Sequence, residues 1–104
     1  MTEFPNFSPR EKEVLGKAED ILIHELSPAR IILFGSRAKG TQTPGSDFDL
    51  AVDAPRPERG IELKIREEIE TVSGLYKVDV VYLGNIEEAF KNLILKTGKV
   101  IYGS

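Results

Sequence analysis

The chain of 104 residues reads as an α+β protein, a mixed β-sheet with helices packed mainly on one face. Three observations predict it. Short, β-branched apolar runs of strand length stop at a glycine or a turn. Longer segments repeat apolar residues at helical spacing between capping signals. The two kinds of segment alternate in the order α-β-β-α-β-α-β.

Ser8-Pro9-Arg10-Glu11 is a capping box with Pro at the first helical position, and it opens a helix that runs to about Leu26. Val14, Leu15, Ala18, Ile21, Leu22 and Leu26 form its apolar stripe, and Met1 to Phe7 ahead of it is expected to be a loose tail. Arg30-Ile31-Ile32-Leu33-Phe34 is a continuous apolar run, as in a strand buried on both faces, and it stops at Gly35. Gly35 can take positive φ and let a ligand approach the backbone, while Ser36 can cap a short helix through Arg37, Ala38 and Lys39. Thr41 to Ser46, with Pro44 and Gly45, is a turn-rich return to a second strand, Phe48 to Val52. Ile61, Ile65, Ile69 and Val72 line a second long helix that ends near Gly74. Lys77 to Leu83 is a third strand, in which Asp79 is the one charge inside a β-branched run. Asn85, with Glu88 three residues on, is expected to cap a last helix whose Ile86, Phe90, Leu93, Ile94 and Thr97 face inward and which Gly98 terminates. Lys99 to Tyr102 is a short final strand.

The chemistry concentrates between the first two strands. Asp47 and Asp49 are two residues apart at the start of a strand, so their side chains project from the same face. Two anions held side by side need a cation. The free N–H groups of a helix that starts at Ser36 favour phosphate, and Arg37 and Lys39 add local positive charge.

Gly35-Ser36, ten further residues, then Asp47-x-Asp49, with a later lone Asp79 in a strand, resembles the nucleotidyltransferases of the DNA polymerase β superfamily. The form Gly-Ser-Arg-Ala-Lys-Gly and Ser-Asp-Phe-Asp-Leu-Ala-Val is similar to the minimal nucleotidyltransferase branch, which includes the antitoxin half of HEPN/MNT toxin–antitoxin pairs. The likeness spans Ile31 to Tyr102, with one departure: Phe48 stands between the aspartates where a smaller aliphatic residue is commoner.

The resemblance implies a palm-like fold and a Mg²⁺-dependent transfer of AMP from ATP to a hydroxyl. Asp47 and Asp49 would hold two Mg²⁺ ions, and Asp79 would join the ion that activates the acceptor and take its proton. Gly35 and Ser36 would hold the β- and γ-phosphates, with Arg37 adding charge. Two such ions can stabilise both the attacking oxygen and the departing pyrophosphate. Enzymes of this superfamily usually append a helical domain that supplies the acceptor, yet this chain stops after its last predicted strand, so the acceptor is expected from outside. The resemblance points to a tyrosine of a separately encoded, helical HEPN partner, which the transfer would silence. Two alternatives stay open: a binding module that neutralises such a partner by contact, and transfer to a small molecule such as an aminoglycoside with the partner completing the pocket. Ile23, Leu63 and Leu95, apolar residues on otherwise polar helix sides, are the expected contact surface.

Composition agrees with a single small domain over residues 1–104, able to bury about 60 to 70% of its unfolded surface. The absence of cysteine removes disulfides, thiolate metal sites and thiol nucleophiles. No segment approaches the roughly 20 apolar residues of a membrane span and no signal peptide is visible, so the cytoplasm is the expected compartment. The net charge of -3, from 14 basic and 17 acidic residues, argues against a general nucleic-acid binder. His24 belongs to the polar side of its helix, and Tyr82 and Tyr102 are expected to pack.

Overall fold

The computed structural model describes residues 4, 6–43 and 45–103. Four strands form one sheet in the order β3-β2-β1-β4, where β1 is Arg30–Phe34, β2 Phe48–Val52, β3 Val78–Tyr82 and β4 Lys99–Gly103. β1 runs antiparallel to β2 and to β4, while β2 and β3 are parallel. That parallel pair requires a crossover, supplied by the helix α3, Arg59–Ser73. The remaining helices are α1, Pro9–Leu26, the single turn α2, Ser36–Lys39, and α4, Glu88–Thr97.

Strand alternation divides the molecule into two cores. Ile31 and Leu33 of β1 and Phe48, Leu50 and Val52 of β2 point to one face, against Val14, Leu15, Ala18 and Leu22 of α1 and Ile65 and Ile69 of α3. Ile32 and Ala51 point to the other, where only Leu83 and Ile94 close over them, flanked by Phe34, Val81, Ile86 and Phe90. Two long helices thus cover one face and α4 covers part of the second. Asp49 and Asp79 belong to that second, thinly covered face.

The capping box forms as read, with the Ser8 hydroxyl accepting from the Glu11 N–H and the Glu11 carboxylate accepting from the Ser8 N–H. Three expectations are corrected. Phe4 and Phe7 are buried and stacked on each other, Phe7 also meeting Phe48 edge-on, so both rings belong to the main core between α1 and the sheet. Residues 1–3, 5, 44 and 104 lie outside the described residues, among them Met1, Thr2, Glu3 and Pro5 of the expected tail and Pro44 of the expected turn. Secondly, Asn85 closes a 3₁₀ turn, Leu83–Asn85, and α4 is capped at Glu87, since Leu83 is drawn into the second core and delays the helix. Thirdly, Leu93 is about half exposed and the Thr97 hydroxyl donates to the Leu93 carbonyl, so only the line through Phe90 and Ile94 faces the sheet. Gly98 ends α4 as expected, at φ -78, outside the left-handed region. A Cβ there would stand 2.5 Å from Ile32 Cγ2 and 2.7 Å from the Ile94 carbonyl oxygen, so the glycine serves close passage over β1.

Candidate active site

The site forms where β1 ends and β2 and β3 begin. Asp49 lies opposite Phe34 in the antiparallel register and beside Asp79 in the parallel one, so the two carboxylates share one face on neighbouring strands. β2 begins at Phe48, whose N–H donates to the Lys77 carbonyl at 2.9 Å, which leaves Asp47 just outside the sheet ladder. Asp47, Asp49 and Asp79 are all half-buried.

Their charges feel one another. The Asp49 carboxyl is raised above its ordinary value, first by burial, then by the charges of Asp79 and Asp47, with Lys77 opposing them. Lys77 is also 3.8 Å from Asp79, on a mostly exposed side chain. Among the described residues no three carboxylate or imidazole groups gather closely enough to enclose a metal ion by themselves. An all-carboxylate set whose negative charge Lys77 offsets only in part nevertheless suits a hard cation, and Mg²⁺ takes few protein oxygens and completes its shell with phosphate and water.

Gly35 has φ +77, and a Cβ on it would run into the Asp49 carboxylate. The backbone that precedes α2 is therefore packed against that aspartate with room for a hydrogen only. α2 opens at Ser36 with Gly35 as its N-cap, so the expected capping role of Ser36 is not observed. The Gly35 carbonyl accepts from the N–H groups of Ala38 and Lys39, which leaves the N–H groups of Ser36 and Arg37 without an acceptor inside so short a helix.

Arg37 is placed differently from the expected phosphate contact. Its side chain is fully buried, with Nη1 donating to Glu11 Oε2 at 2.7 Å and Nε and Nη2 donating to the Ser46 carbonyl at 3.1 and 2.9 Å. Its guanidinium stacks over Phe48, 4.0 Å from the ring centroid. Phe48, the departure from the usual pattern, thus points away from the carboxylates and is used beneath the loop. Glu11 was legible only as a helix cap, because its pairing partner is 26 residues away. The Glu11 carboxyl is lowered from its ordinary value, chiefly by the Ser8 N–H and also by Arg37.

A cavity of about 880 Å³ runs round the free edge of β3, from Ile65 and Ile69 on one face to Phe34 and Phe90 on the other. Asp49 and Asp79 open into it, while Asp47, Gly35 and Ser36 lie outside its lining. Phe34 and Phe90 meet edge-on at 5.7 Å, a feature that helical and strand periodicity represent only as two separate apolar residues. No helix among the described residues is long and apolar enough to cross a membrane.

The chain is similar to several known proteins. A relative from Methanocaldococcus jannaschii, provisionally named a protein adenylyltransferase, is 35% identical over 82 residues, 76% of this chain and 81% of its own. A crystal structure of a toxin–antitoxin with AMP-PNP superposes with a TM-score of 0.73 at 25% identity, over 86% of this chain and 73% of that one. A structure provisionally described as a minimal nucleotidyltransferase has the same fold, with a TM-score of 0.67 at 20% identity, over 92% of this chain and 97% of that one. The family model described as Polymerase beta, Nucleotidyltransferase matches residues 16–104, a span that holds all four strands and the Gly35, Asp49 and Asp79 constellation. The chain belongs to the polymerase β nucleotidyltransferase family and is a nucleotidyltransferase.

Proposed function

We propose that the chain is a Mg²⁺-dependent adenylyltransferase of the cytoplasm that moves AMP from ATP to a tyrosine of a separately encoded HEPN toxin, and so acts as its antitoxin. The observation that carries this reading is the register of Asp49 with Asp79 directly against the Gly35 backbone, which brings anionic metal ligands beside a turn able to receive phosphate. The relative named for protein adenylylation supports a protein acceptor, and the toxin–antitoxin match with AMP-PNP supports an adenine nucleotide and a toxin partner.

Bound Mg²⁺ would supply Lewis-acid stabilisation of charge on the attacking and leaving oxygens. Asp47 and Asp49 hold it, Asp79 shares in that binding, and the backbone at Gly35 with the Ser36 hydroxyl receives the β- and γ-phosphates. The acceptor hydroxyl approaches from the β3 edge, where Asp79 opens into the cavity. Its oxygen bonds to the α-phosphorus, the bond from that phosphorus to the α–β bridging oxygen breaks, pyrophosphate leaves, and the hydroxyl proton passes to an Asp79 carboxylate oxygen.

The test is the intact mass of the toxin encoded beside this chain after incubation with Mg²⁺-ATP. Wild type is expected to add one or more AMP groups. Asp79→Asn is expected to keep nucleotide binding yet lose transfer by a factor of about 10² to 10⁴. A double Asp47→Asn, Asp49→Asn chain that protects cells as well as wild type, with no AMP on the toxin in either case, would leave an antitoxin that works by contact.

A further inference from the structure

We infer that Arg37 is a positioning residue that sets Asp47 from beneath; this rests on the reading of Asp47 and Asp49 as cation ligands. A guanidinium whose side chain is wholly removed from water is costly unless its donors are spoken for, and an apolar side chain would serve a core as well or better. Where these donors go is therefore informative. Two of them converge on one atom, the Ser46 carbonyl oxygen, immediately before Asp47. The cation's face lies on the Phe48 ring, immediately after Asp47, and the Phe48 N–H is tied to the carbonyl of Lys77 in the strand entry of Asp79. Asp47 is thus the single residue between two anchored neighbours, and Arg37 touches both anchors.

The rest of the loop is loosely tied. Thr43 and Ser46 close a turn, with the Ser46 N–H donating to the Thr43 carbonyl at 3.0 Å and the Thr43 N–H donating to the Ser46 hydroxyl at 2.9 Å, and the Thr41 N–H donates to the Ser36 carbonyl at 3.0 Å, but among the described residues no hydrogen bond ties this turn to the sheet. Asp47 precedes the ladder of β2, so the strand does not fix it. Arg37 supplies that restraint, and as the residue after Ser36 it also ties the phosphate-side turn to the carboxylate-side loop. Glu11 balances its charge and is itself held by the Ser8 N–H at 2.6 Å, so the base of the clamp is the first turn of α1. A lysine in this place can pair with Glu11 but cannot direct two rigidly spaced donors at one carbonyl.

The experiment compares Arg37→Lys with Glu11→Gln, which keeps an oxygen acceptor for the guanidinium and leaves the Ser46 bonds in place. Both are studied well below their melting temperatures, by amide hydrogen exchange and by Mn²⁺ titration followed by electron paramagnetic resonance. Arg37→Lys is expected to speed exchange at Ser46 at least about ten-fold, to leave β1 protected, and to weaken Mn²⁺ binding by about 10- to 100-fold. Glu11→Gln is expected to lower the melting temperature while keeping Mn²⁺ affinity within about two-fold of wild type, the scatter of a site left undisturbed. A folded Arg37→Lys chain with unchanged Ser46 exchange and Mn²⁺ affinity overturns the inference, as does a loss of affinity that follows melting temperature equally in both variants. Should Arg37→Lys not fold, wild type decides: coupling is reciprocal, so saturating Mg²⁺ must slow exchange of the Arg37 Nε–H, and no slowing overturns the role. A wild-type chain that binds no Mn²⁺ removes the cation reading of the site as well, whereas wild-type binding with an indifferent Arg37→Lys removes only the positioning role.

Discussion

Asp49 is the residue at which fold and site make opposite demands. Its carboxyl is raised by burial and by two neighbouring carboxylates, so the folded chain holds that proton more tightly than the unfolded one. The penalty is absent below the unfolded aspartate range, grows as pH rises towards the raised folded value, and is fully present above it. Asp49→Asn is therefore expected to melt at or above wild type at neutral pH without ligand, with the difference vanishing in acid. Mg²⁺-ATP at 100 times its dissociation constant is expected to stabilise wild type by about 2.7 kcal/mol and the variant by much less. Thermal melts at two pH values, with and without ligand, check both, and a variant that melts well below wild type yet keeps the full ligand shift would reduce Asp49 to a structural residue. Gly35 and Gly40 offer a paired control, since both have φ +77 but only Gly35 would drive a Cβ into the Asp49 carboxylate, while Gly40 faces open space. Gly40→Ala is expected to cost about 1 to 2 kcal/mol of backbone strain in urea unfolding and to keep Mg²⁺-ATP binding. Gly35→Ala is expected to cost more and to lose that binding.

At the scale of elements, the sheet is fixed by alternation and the helices by how much surface each must cover. α1 and α3 share a broad core against β1 and β2, and their stripes matched the periodicity of Val14 to Leu22 and of Ile65 with Ile69, whereas Ile61, expected on the α3 stripe, is exposed. α4 meets the sheet along a narrow line, so the same rule over-assigned Leu93 and Thr97 to its inner side. Its close passage over β1 at Gly98 is a prediction of its own. Because φ there is -78, Gly98→Ala carries no left-handed strain, and the expected loss of about 1 to 3 kcal/mol arises from overpacking against Ile32 and the Ile94 carbonyl. Denaturant unfolding measures it, and a neutral or stabilised Gly98→Ala would mean that β1 and α4 separate at no cost.

The whole molecule decides which apolar residues are free to meet a partner. Leu63 and Leu95 are exposed, at 52% and 38%, whereas Ile23 is half-buried against the main core. α3 and α4 lie on opposite faces of the sheet, so the three residues expected to form one contact surface do not lie on one. For a toxin that docks on a single face, either Leu63→Glu or Leu95→Glu is expected to weaken the complex, with the other near neutral and nucleotide binding intact in both. Ile23→Glu is expected to act through stability instead, since a charge would be pressed against the core. Isothermal titration with the toxin, alongside melting temperatures, distinguishes these, and equal weakening by both leucine variants would mean that the partner wraps around the sheet.

What the sequence by itself determined is what neighbouring residues determine: strands at Arg30–Phe34, Phe48–Val52 and, read one residue longer at each end, Val78–Tyr82, the capped start of α1, and two aspartates spaced two residues apart where a strand begins. The Gly35-Ser36 turn and the lone Asp79 were legible for the same reason, each being an anomaly within its own segment. Which face those aspartates share, and that Asp49 and Asp79 stand in register, depended on a crossover that places β3 beside β2. Only the tertiary structure decided the fates of Arg37, Phe4 and Phe7. An arginine beside a turn expected to receive phosphate reads as a phosphate contact until a carboxylate from α1 and the ring of Phe48 arrive to enclose it. Local pattern records a residue's own polarity and spacing; burial of a charge is decided by partners distant in the chain, and no periodicity carries that information.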